Sequence, residues 1–501
     1  MFVLELIQIV PFLPKEHTVR NAILFSLLTL LLSQSAHALP IDWHGVFGAD
    51  ATMIDNYRRV ESKQTNVVGP ASQEVPLATG EKGAASFQSY IFRLNPVMIV
   101  NDSATLKGEI TSGYGRGGRF GDEPTQNLEG GFGNALYMYN VSPASNALVV
   151  NKFYAELYSD TATYIIGRHT SHWGLGAVVN SGDKAWDRHS FARDGLTMKI
   201  RLGNFHVEPF WAKIGSASSL TRSSRMREYG ISFLYDNLDR DLGFGILYSI
   251  KSNAAFETSL QSDISGTSTA LGQSQVKLLD IYFKKAFGDL SFEVEVPMLS
   301  DTVGSLYGAN SETKIKGKAF LLESNYKINN AWSVSLHAGQ ISGDSGNTNS
   351  FDAMYLNPNY QIANLLFRYN LRAVSDPNNL SVYDSYMTNT TYLKLGGQYS
   401  TEKWSWRAAW IYAQAREAAK AGTTSFNHER NRSFTAVVDQ EKDLGMEIDL
   451  DFDYRWNNEI TIGGGIGYLF TGDYFAFTND PTRTNTADDS VVFQVRTAIE
   501  F

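Results

Sequence analysis

The strongest constraint on the fold is a pattern of side-chain polarity that repeats every two residues along most of the chain. The last eleven residues show it plainly, because apolar side chains occupy one face of the segment and more polar ones occupy the other. The first face carries Val491, Phe493, Val495, Thr497, Ile499 and Phe501. Successive side chains of a β-strand point to opposite sides, so this pattern predicts strands with two different faces.

A second segment shows how polar the other face can become. Between Leu444 and Arg455, apolar residues alternate with Glu447, Asp449, Asp451 and Asp453. Four carboxylates on one face of a strand would be costly against lipid, whereas water in a wide pore would solvate them. The alternation therefore predicts a barrel with apolar side chains outside and a hydrated lumen.

The number of strands and the lengths of their connections agree with each other. Segments with this alternation number 18 between residues 42 and 501. Short turns such as Gly288-Asp289 alternate with long polar links such as Gly343–Asn389 through the second half of the chain. Transmembrane barrels combine an even strand count with short periplasmic turns and long extracellular loops. We therefore predict an all-β fold, a transmembrane antiparallel β-barrel of 18 strands in the outer membrane of a Gram-negative bacterium.

Aromatic residues provide a third indication of a membrane barrel. They flank the short turns on the face expected to point outward, where amphipathic rings form the interfacial girdle of such proteins. The set comprises Phe205, Tyr235, Phe287, Tyr326, Trp332, Tyr399, Trp404 and Tyr454.

The amino-terminal segment has the features of a cleaved signal peptide. Lys15 and Arg20 precede the apolar run Ala22–Leu32, and small residues follow at Ala36 and Ala38. This arrangement is typical of secretory signals, and the apolar run is too short for a comfortable anchor helix. The sequence therefore predicts a signal peptide over residues 1–38, with an over-long start before Lys15, and a barrel over residues 39–501.

The carboxyl end resembles the terminal signature of bacterial outer-membrane barrels and porins, since its outward apolar residues close on Phe501. That resemblance implies that Phe501 belongs to the signal read by the barrel-assembly machinery. Gly167–Gly195 and Asp352–Leu371 also resemble pieces of alginate-export-like barrels and related proteobacterial barrels. Those pieces are short, so the resemblance implies no particular ligand residues.

Composition and motifs exclude several classes of function. The formal charge of -9 is spread along the chain, whereas nucleic-acid binding requires a clustered basic surface. The chain has no cysteine and none of the common nucleophile, phosphate-loop or zinc motifs. We therefore expect no enzyme activity, no metal, no cofactor and no nucleic-acid partner.

Charged residues of both signs are candidates for the pore lining. The acidic ones occur in the row at 447–453 and in a smaller pair near 293, while the basic ones cluster on two neighbouring strands. Such charges either filter and orient solutes or simply hydrate the lumen and pair across strands. The candidates are Glu447, Asp449, Asp451, Asp453, Glu293, Glu295, Lys199, Arg201 and Arg168.

The segment Gly167–Gly195 concentrates histidine, tryptophan and charged residues in a non-repetitive stretch. Three interpretations remain open: a metal or acid–base site, a saccharide contact with stacked tryptophans, or a structural loop that is pinned inside the barrel by ion pairs and narrows the pore. The constriction candidates are His169, His172, Trp173, Asp183, Trp186, Asp187 and Arg188.

Taken together, these features predict a channel for passive diffusion of small hydrophilic solutes or ions. A saccharide-specific channel or polysaccharide exporter is the first alternative, and an outer-membrane hydrolase or surface-binding barrel is the second. The expected partners are outer-membrane lipid and lipopolysaccharide, the barrel-assembly machinery and small polar solutes. Asn359–Leu371, whose spacing fits a helix about as well as a strand, is interpreted as part of a long extracellular loop folded over the pore.

The terminal aromatic residue supplies a first testable prediction. Deleting Phe501 should lower the folded, heat-modifiable fraction of the protein in outer membranes, because the assembly signal would lose its last residue. Electrophoresis of heated and unheated membrane samples measures that fraction. Normal assembly of the deletion variant would contradict the role assigned to Phe501.

Overall fold

The structure is a computed structural model, and it describes most of the chain from residue 40 onward. The predicted signal peptide lies outside the described residues. The described ranges are 40–61, 83–112, 116–120, 148–214, 226–253, 261–262, 269–270, 274–304, 312–344, 346, 349–370, 382–427, 432–478, 480–483 and 486–501.

Eighteen strands form one closed antiparallel barrel, which confirms the predicted fold class. Each strand pairs with its neighbours in sequence, and the last pairs with the first through partners such as Phe47 and Ile499. The strands are β1 (Ile41–Asp55), β2 (Ala85–Asn101), β3 (Ala104–Ser112), β4 (Leu148–Tyr158), β5 (Ala162–Thr170), β6 (Ala192–Leu202), β7 (Phe205–Ile214), β8 (Met226–Asn237), β9 (Leu242–Ser252), β10 (Gln275–Phe287), β11 (Leu290–Gly304), β12 (Ala319–Lys327), β13 (Trp332–Ile341), β14 (Thr390–Ser400), β15 (Trp404–Ala415), β16 (Asp443–Arg455), β17 (Ile460–Thr471) and β18 (Ser490–Glu500).

Short elements occur in the connections between the barrel strands. Three short strands extend the main sheet, and three further pairs of short strands form separate small sheets. The extensions are Gly117–Arg119, Thr313–Ile315 and Ser350–Phe351, and the pairs are Val60–Glu61 with Thr486–Ala487, Gln261–Ser262 with Thr269–Ala270, and Thr424–Asn427 with Arg432–Thr435. The 3-10 helices are Leu238–Arg240 and Asp473–Phe475. No helix among the described residues is long and apolar enough to cross a membrane.

Side-chain exposure follows the alternation read from the sequence. On β18, Phe493 and Val495 point outward with 52% and 44% of their surface exposed, whereas Val492 points inward and is 2% exposed. Large apolar side chains that stay exposed all around a closed barrel are the surface that a lipid bilayer covers. The outer wall is therefore a membrane-facing surface.

The aromatic girdle lies where the sequence predicted it, beside the short turns. Its rings contact each other across neighbouring strands, with centroids 5.0 Å apart for Phe205 and Tyr235. The corresponding distance is 4.8 Å for Trp332 and Tyr399. Such cross-strand aromatic pairs stabilise the strand register as well as anchoring the interface.

Phe501 helps to close the barrel where its two ends meet. The backbone of Gly45 on β1 accepts from and donates to the backbone of Phe501, at 3.1 and 2.7 Å. The Phe501 ring lies over Gly45, where an added Cβ would be 2.6 Å from its Cζ atom. Glycine is therefore required at position 45 for this contact, and Phe501 packs against the first strand.

Two long connections fold into the lumen, and they position the candidate site. The first lumenal loop, residues 171–191, joins β5 to β6, and the second lumenal loop joins β13 to β14 and is described over 342–344, 346, 349–370 and 382–389. No strand occurs within 359–370, so this part of the predicted loop leaves the count of barrel strands at 18.

An apolar cluster inside the barrel explains the spacing of apolar residues in Asn359–Leu371, which fitted a helix about as well as a strand. Side chains of the second lumenal loop pack on apolar residues that β12, β13, β15 and β17 direct inward. Loop residues Met354, Leu356, Ile362, Leu365 and Leu366 are all at most 2% exposed, as are wall residues Leu321, Ile341, Ile411 and Leu469. The apolar spacing thus reflects burial inside the barrel rather than a helix or a strand.

Candidate functional site

The acidic row of β16 holds the second lumenal loop by its backbone. Glu447 is fully buried, and its carboxylate accepts the backbone N–H groups of Asn364 (2.9 Å), Leu365 (2.6 Å) and Leu366 (2.8 Å). Hydrogen bonds to a charged acceptor are stronger than those between neutral groups. Glu447 therefore anchors the loop to the wall rather than facing open water.

The next members of the row continue this contact toward the short-turn end. Asp449 accepts the backbone N–H of Asn364 at 3.1 Å, and Asp451 accepts its side-chain amide at 3.2 Å. Asp453 lies beyond the loop and pairs with Arg407 (2.6 Å) and Arg496 (3.1 Å). The row thus passes from loop attachment to ion pairing across strands.

Glycines on the neighbouring strand β17 make room for these carboxylates. The register places Gly467 opposite Asp449, Gly465 opposite Asp451 and Gly463 opposite Asp453. An added Cβ at Gly467 would be 2.8 Å from Asp449 Oδ1, and one at the other two glycines would overlap the facing carboxylate oxygen. The glycine stripe therefore allows the acidic row to lie flat against the wall.

Arg188 ties the first lumenal loop to strands β1 and β2 of the wall. Its guanidinium donates to Asp50 Oδ1 (2.9 Å), Ser89 Oγ (2.7 Å) and the backbone oxygen of Tyr90 (3.0 Å). It also lies 4.0 Å from the centre of the Tyr383 ring of the second lumenal loop. These hydrogen bonds hold the buried Arg188 side chain in one position, and the Asp50 carboxylate compensates its charge.

The two loops are also bonded directly to each other. Asn359 donates its side-chain amide to the backbone oxygen of His189 at 2.7 Å and accepts the His189 N–H at 3.2 Å. Burial lowers the pKa of the His189 imidazole, although the Asp384 carboxylate lies 3.4 Å away. The loops therefore form a single bridge across the lumen.

Two cavities lie beside this bridge. The larger, of ≈ 670 Å³, is bounded mainly by strands β11–β16 and the second lumenal loop, and its lining includes Glu293, Lys394 and Asp451. The smaller, of ≈ 150 Å³, lies between the two loops. Both are lined by Gln361, Arg368, Gln494 and Arg496, so these four side chains mark the place where the cavities adjoin.

Arg368 is the cation at this junction whose charge is least compensated. Among the described residues no carboxylate lies within ion-pairing distance of it, and its guanidinium is 5.9 Å from the centre of the Tyr383 ring. The preceding residue, Phe367, has a φ of 62°, a left-handed conformation that is unfavourable for a bulky side chain. That turn buries Phe367 while Arg368 remains half-buried beside the cavities.

Two predicted site residues lie elsewhere than expected. His169 is not part of the loop, because β5 continues to Thr170; its ring is buried and bonds Thr197 Oγ1 at 2.7 Å. The prediction that Arg168 lines the pore is wrong. Its register partners are Phe153 and Asp194 on the outer wall, and it pairs with the Asp194 carboxylate at 3.3 Å.

The other wall candidates divide between the lumen and buried contacts. Lys199 and Arg201 are exposed on the inward side of β6, near its short turn. Glu293 lines the larger cavity and accepts from the Tyr282 hydroxyl at 2.5 Å. Glu295 is fully buried and accepts the backbone N–H of Leu175 at 2.5 Å, so it anchors the first lumenal loop.

The remaining loop candidates fall into two groups. Trp186, Asp187 and Arg188 line the smaller cavity, whereas Trp173 packs against the wall beside Tyr282. Asp183, whose side chain is 71% exposed, lies 3.5 Å from the Lys152 ammonium, and His172 is exposed near the Ser181 backbone. Within the described part of the chain, no three histidine, cysteine or acidic side chains are grouped so that they could hold a metal.

Comparisons with known proteins find a likeness at the level of fold. OccK2 (OpdF) of Pseudomonas aeruginosa, solved in complex with glucuronate, has a TM-score of 0.47 and 9% identity, covering 92% of this chain and 97% of its own. OccK9 (OpdG) of the same organism gives 0.46 and 10%, covering 92% and 99%. OmpT of Vibrio cholerae gives 0.37 and 10%, covering 93% and 99%. No family model and no curated protein matches the sequence.

Sequence reasoning missed Arg368, Gln361 and Asn364, which the second lumenal loop brings to the lining of the larger cavity. The available signal was Arg368 itself, a lone charge within the apolar run from Ile362 to Tyr369. A single cation in a segment whose other side chains are mostly buried indicates the point at which that segment reaches water.

The attachment of the second lumenal loop gives a prediction. Replacing Glu447 by alanine leaves the buried N–H groups of Leu365 and Leu366 without an acceptor, each costing about 1–3 kcal/mol, and leaves the Asn364 N–H with Asp449 alone. The loop should therefore leave the wall, and single channels should become larger in conductance and noisier. Planar-bilayer recordings measure both quantities.

The matched control is Glu459→Ala, which removes an exposed carboxylate from the short turn after β16. It should leave conductance and noise unchanged. Glu447→Gln keeps a hydrogen-bond acceptor, so its conductance and noise should lie between those of the unmodified channel and those of Glu447→Ala. If Glu447→Ala channels keep the conductance and the low noise of the unmodified channel, the second lumenal loop does not depend on Glu447 for its attachment.

Proposed function

We propose that this protein is an outer-membrane channel through which small hydrophilic solutes and ions diffuse passively. The observation that carries the proposal is the pair of adjoining cavities beside the loop bridge, inside a closed barrel of 18 strands. A barrel of this size is wide enough for an aqueous channel, and inserted loops are the usual means of narrowing one.

The charges at the junction support a filter that acts on charged and polar solutes. Arg368 and Arg496 line both cavities, and Asp451 lines the larger one on the acidic side. Charges held at fixed positions around a narrow passage set which ions pass and how dipolar solutes are oriented. We infer that Arg368 has the largest effect, because Arg496 is already paired with Asp453.

The route to the membrane is part of the same proposal. A signal peptide over residues 1–38 would deliver the barrel of residues 39–501 to the periplasm, and the assembly machinery would recognise the strand that ends at Phe501. The contact of Phe501 with Gly45 supports an additional part for this residue in closing the barrel. No step of this function requires catalysis by the protein.

Single-channel recording of the purified mature protein in planar bilayers tests the proposal. We expect steady ohmic steps and a finite reversal potential under a salt gradient, because water-filled passages conduct ions and fixed charges select among them. A correctly folded, heat-modifiable barrel that carries no current would overturn the proposed function.

A substitution at the junction tests the filter separately. Arg368→Ala should lower the permeability of anions relative to cations by roughly twofold or more, since it removes a nearby uncompensated positive charge. Reversal potentials under a salt gradient measure this ratio. Arg240→Ala, in an exposed short turn, is the control and should have the permeability ratio of the unmodified channel. Equal ratios of anion to cation permeability for Arg368→Ala and Arg240→Ala would exclude Arg368 from the filter.

A further inference from the structure

The outer wall carries a row of charged residues just below the long loops. Arg168 on β5 is opposite Asp194 on β6, Asp194 is opposite Lys213 on β7, and Lys213 is opposite Arg227 on β8. All four side chains are exposed. Three cations and one carboxylate thus occupy adjacent positions on the outward face of these four strands.

The outward direction of the row follows from the neighbours of each residue. Arg193, Ala212 and Glu228, which are adjacent in sequence, are buried inside the barrel, so the side chains next to them point outward. The buried pair of Arg193 and Glu228, 3.2 Å apart, confirms which side faces the lumen.

The row has an excess of positive charge that the described residues do not neutralise. Arg168 and Asp194 pair at 3.3 Å, but in the described part of the chain neither Lys213 nor Arg227 has a carboxylate partner. Like charges directly opposite each other on neighbouring strands are destabilising. An anion bound between Lys213 and Arg227 would remove this repulsion.

The position of the row relative to the membrane indicates where such an anion comes from. Two residues farther from the loops, the same four strands present Ile166, Leu196, Trp211 and Tyr229, which are 42–51% exposed and point outward. Trp211 and Tyr229 are rings of the type that lie at the membrane interface. The cations therefore lie at the level of lipid headgroups, where exposed charge on a barrel costs little.

We propose that Arg168, Lys213 and Arg227 form a binding site for the phosphate groups of a phosphorylated glycolipid in the outer leaflet. The guanidinium groups of Arg168 and Arg227 suit phosphate because they donate in a fork that matches its oxygens, and Lys213 supplies a further point charge between them. The apolar row below would contact the acyl chains of the same lipid. The site is independent of the channel function proposed above.

Titration of the detergent-solubilised full barrel with bisphosphorylated lipid A, followed by native mass spectrometry, tests the site. The double variant Lys213→Ala with Arg227→Ala should bind on the order of tenfold more weakly, since each basic residue near a charged lipid surface contributes to attraction. Lipid A without phosphates should bind the unmodified protein and the double variant equally. The charge-conserving Arg227→Lys should retain most of the affinity.

The matched control removes two cations from the opposite end, in the double variant Arg240→Ala with Lys403→Ala, and should bind as the unmodified protein does. Heat-modifiability shows whether each variant is folded, and the single substitution Lys213→Gln serves if the double variant is not. Equal affinity of the unmodified protein and the Lys213/Arg227 variants for bisphosphorylated lipid A would overturn the site. Displacement of the lipid by inorganic phosphate at equal concentration would overturn its assignment to a lipid.

Discussion

The closed ladder of backbone hydrogen bonds is the constraint on which everything else in this protein depends. Lipid offers no partner for an exposed N–H or C=O group, so a sheet can span it only when its first and last strands pair. Here β1 and β18 meet over ten register positions, from Val46 opposite Glu500 to Asp55 opposite Val491. Once the wall is closed in this way, the side chains inside are free to carry charge and loops.

The parts of the fold that depend on local sequence could be predicted, and those that depend on distant contacts could not. Alternation along β16 or β18 is visible within a dozen residues, because each strand has lipid on one side and the lumen on the other. The contact of Glu447 with the backbone of residues 364–366 joins segments more than 80 positions apart. Nothing in either segment alone indicates that contact.

The candidate site illustrates the same division. The row of carboxylates on β16 was expected to face water. Instead, its first member, Glu447, is covered by the second lumenal loop, whose apolar side chains pack on the lumen wall. Arg168 was assigned to the pore because a charged residue in a membrane strand suggests a polar environment. Its place two residues from the end of β5 provides that environment outside the barrel, at the headgroup level.

The apolar cluster enclosed by the barrel has a consequence for the order of folding. The backbone oxygen of Leu365 accepts a hydrogen bond from the Arg59 guanidinium, which follows the first barrel strand, at 2.7 Å. The backbone N–H groups of Leu365 and Leu366 donate to Glu447 on β16, near the other end of the barrel sequence. The contacts of the second lumenal loop are therefore complete only when segments from both ends of the barrel lie beside it. Contacts that are far apart in sequence form slowly, so the filling of the lumen should be slower than the pairing of strands that are neighbours in sequence.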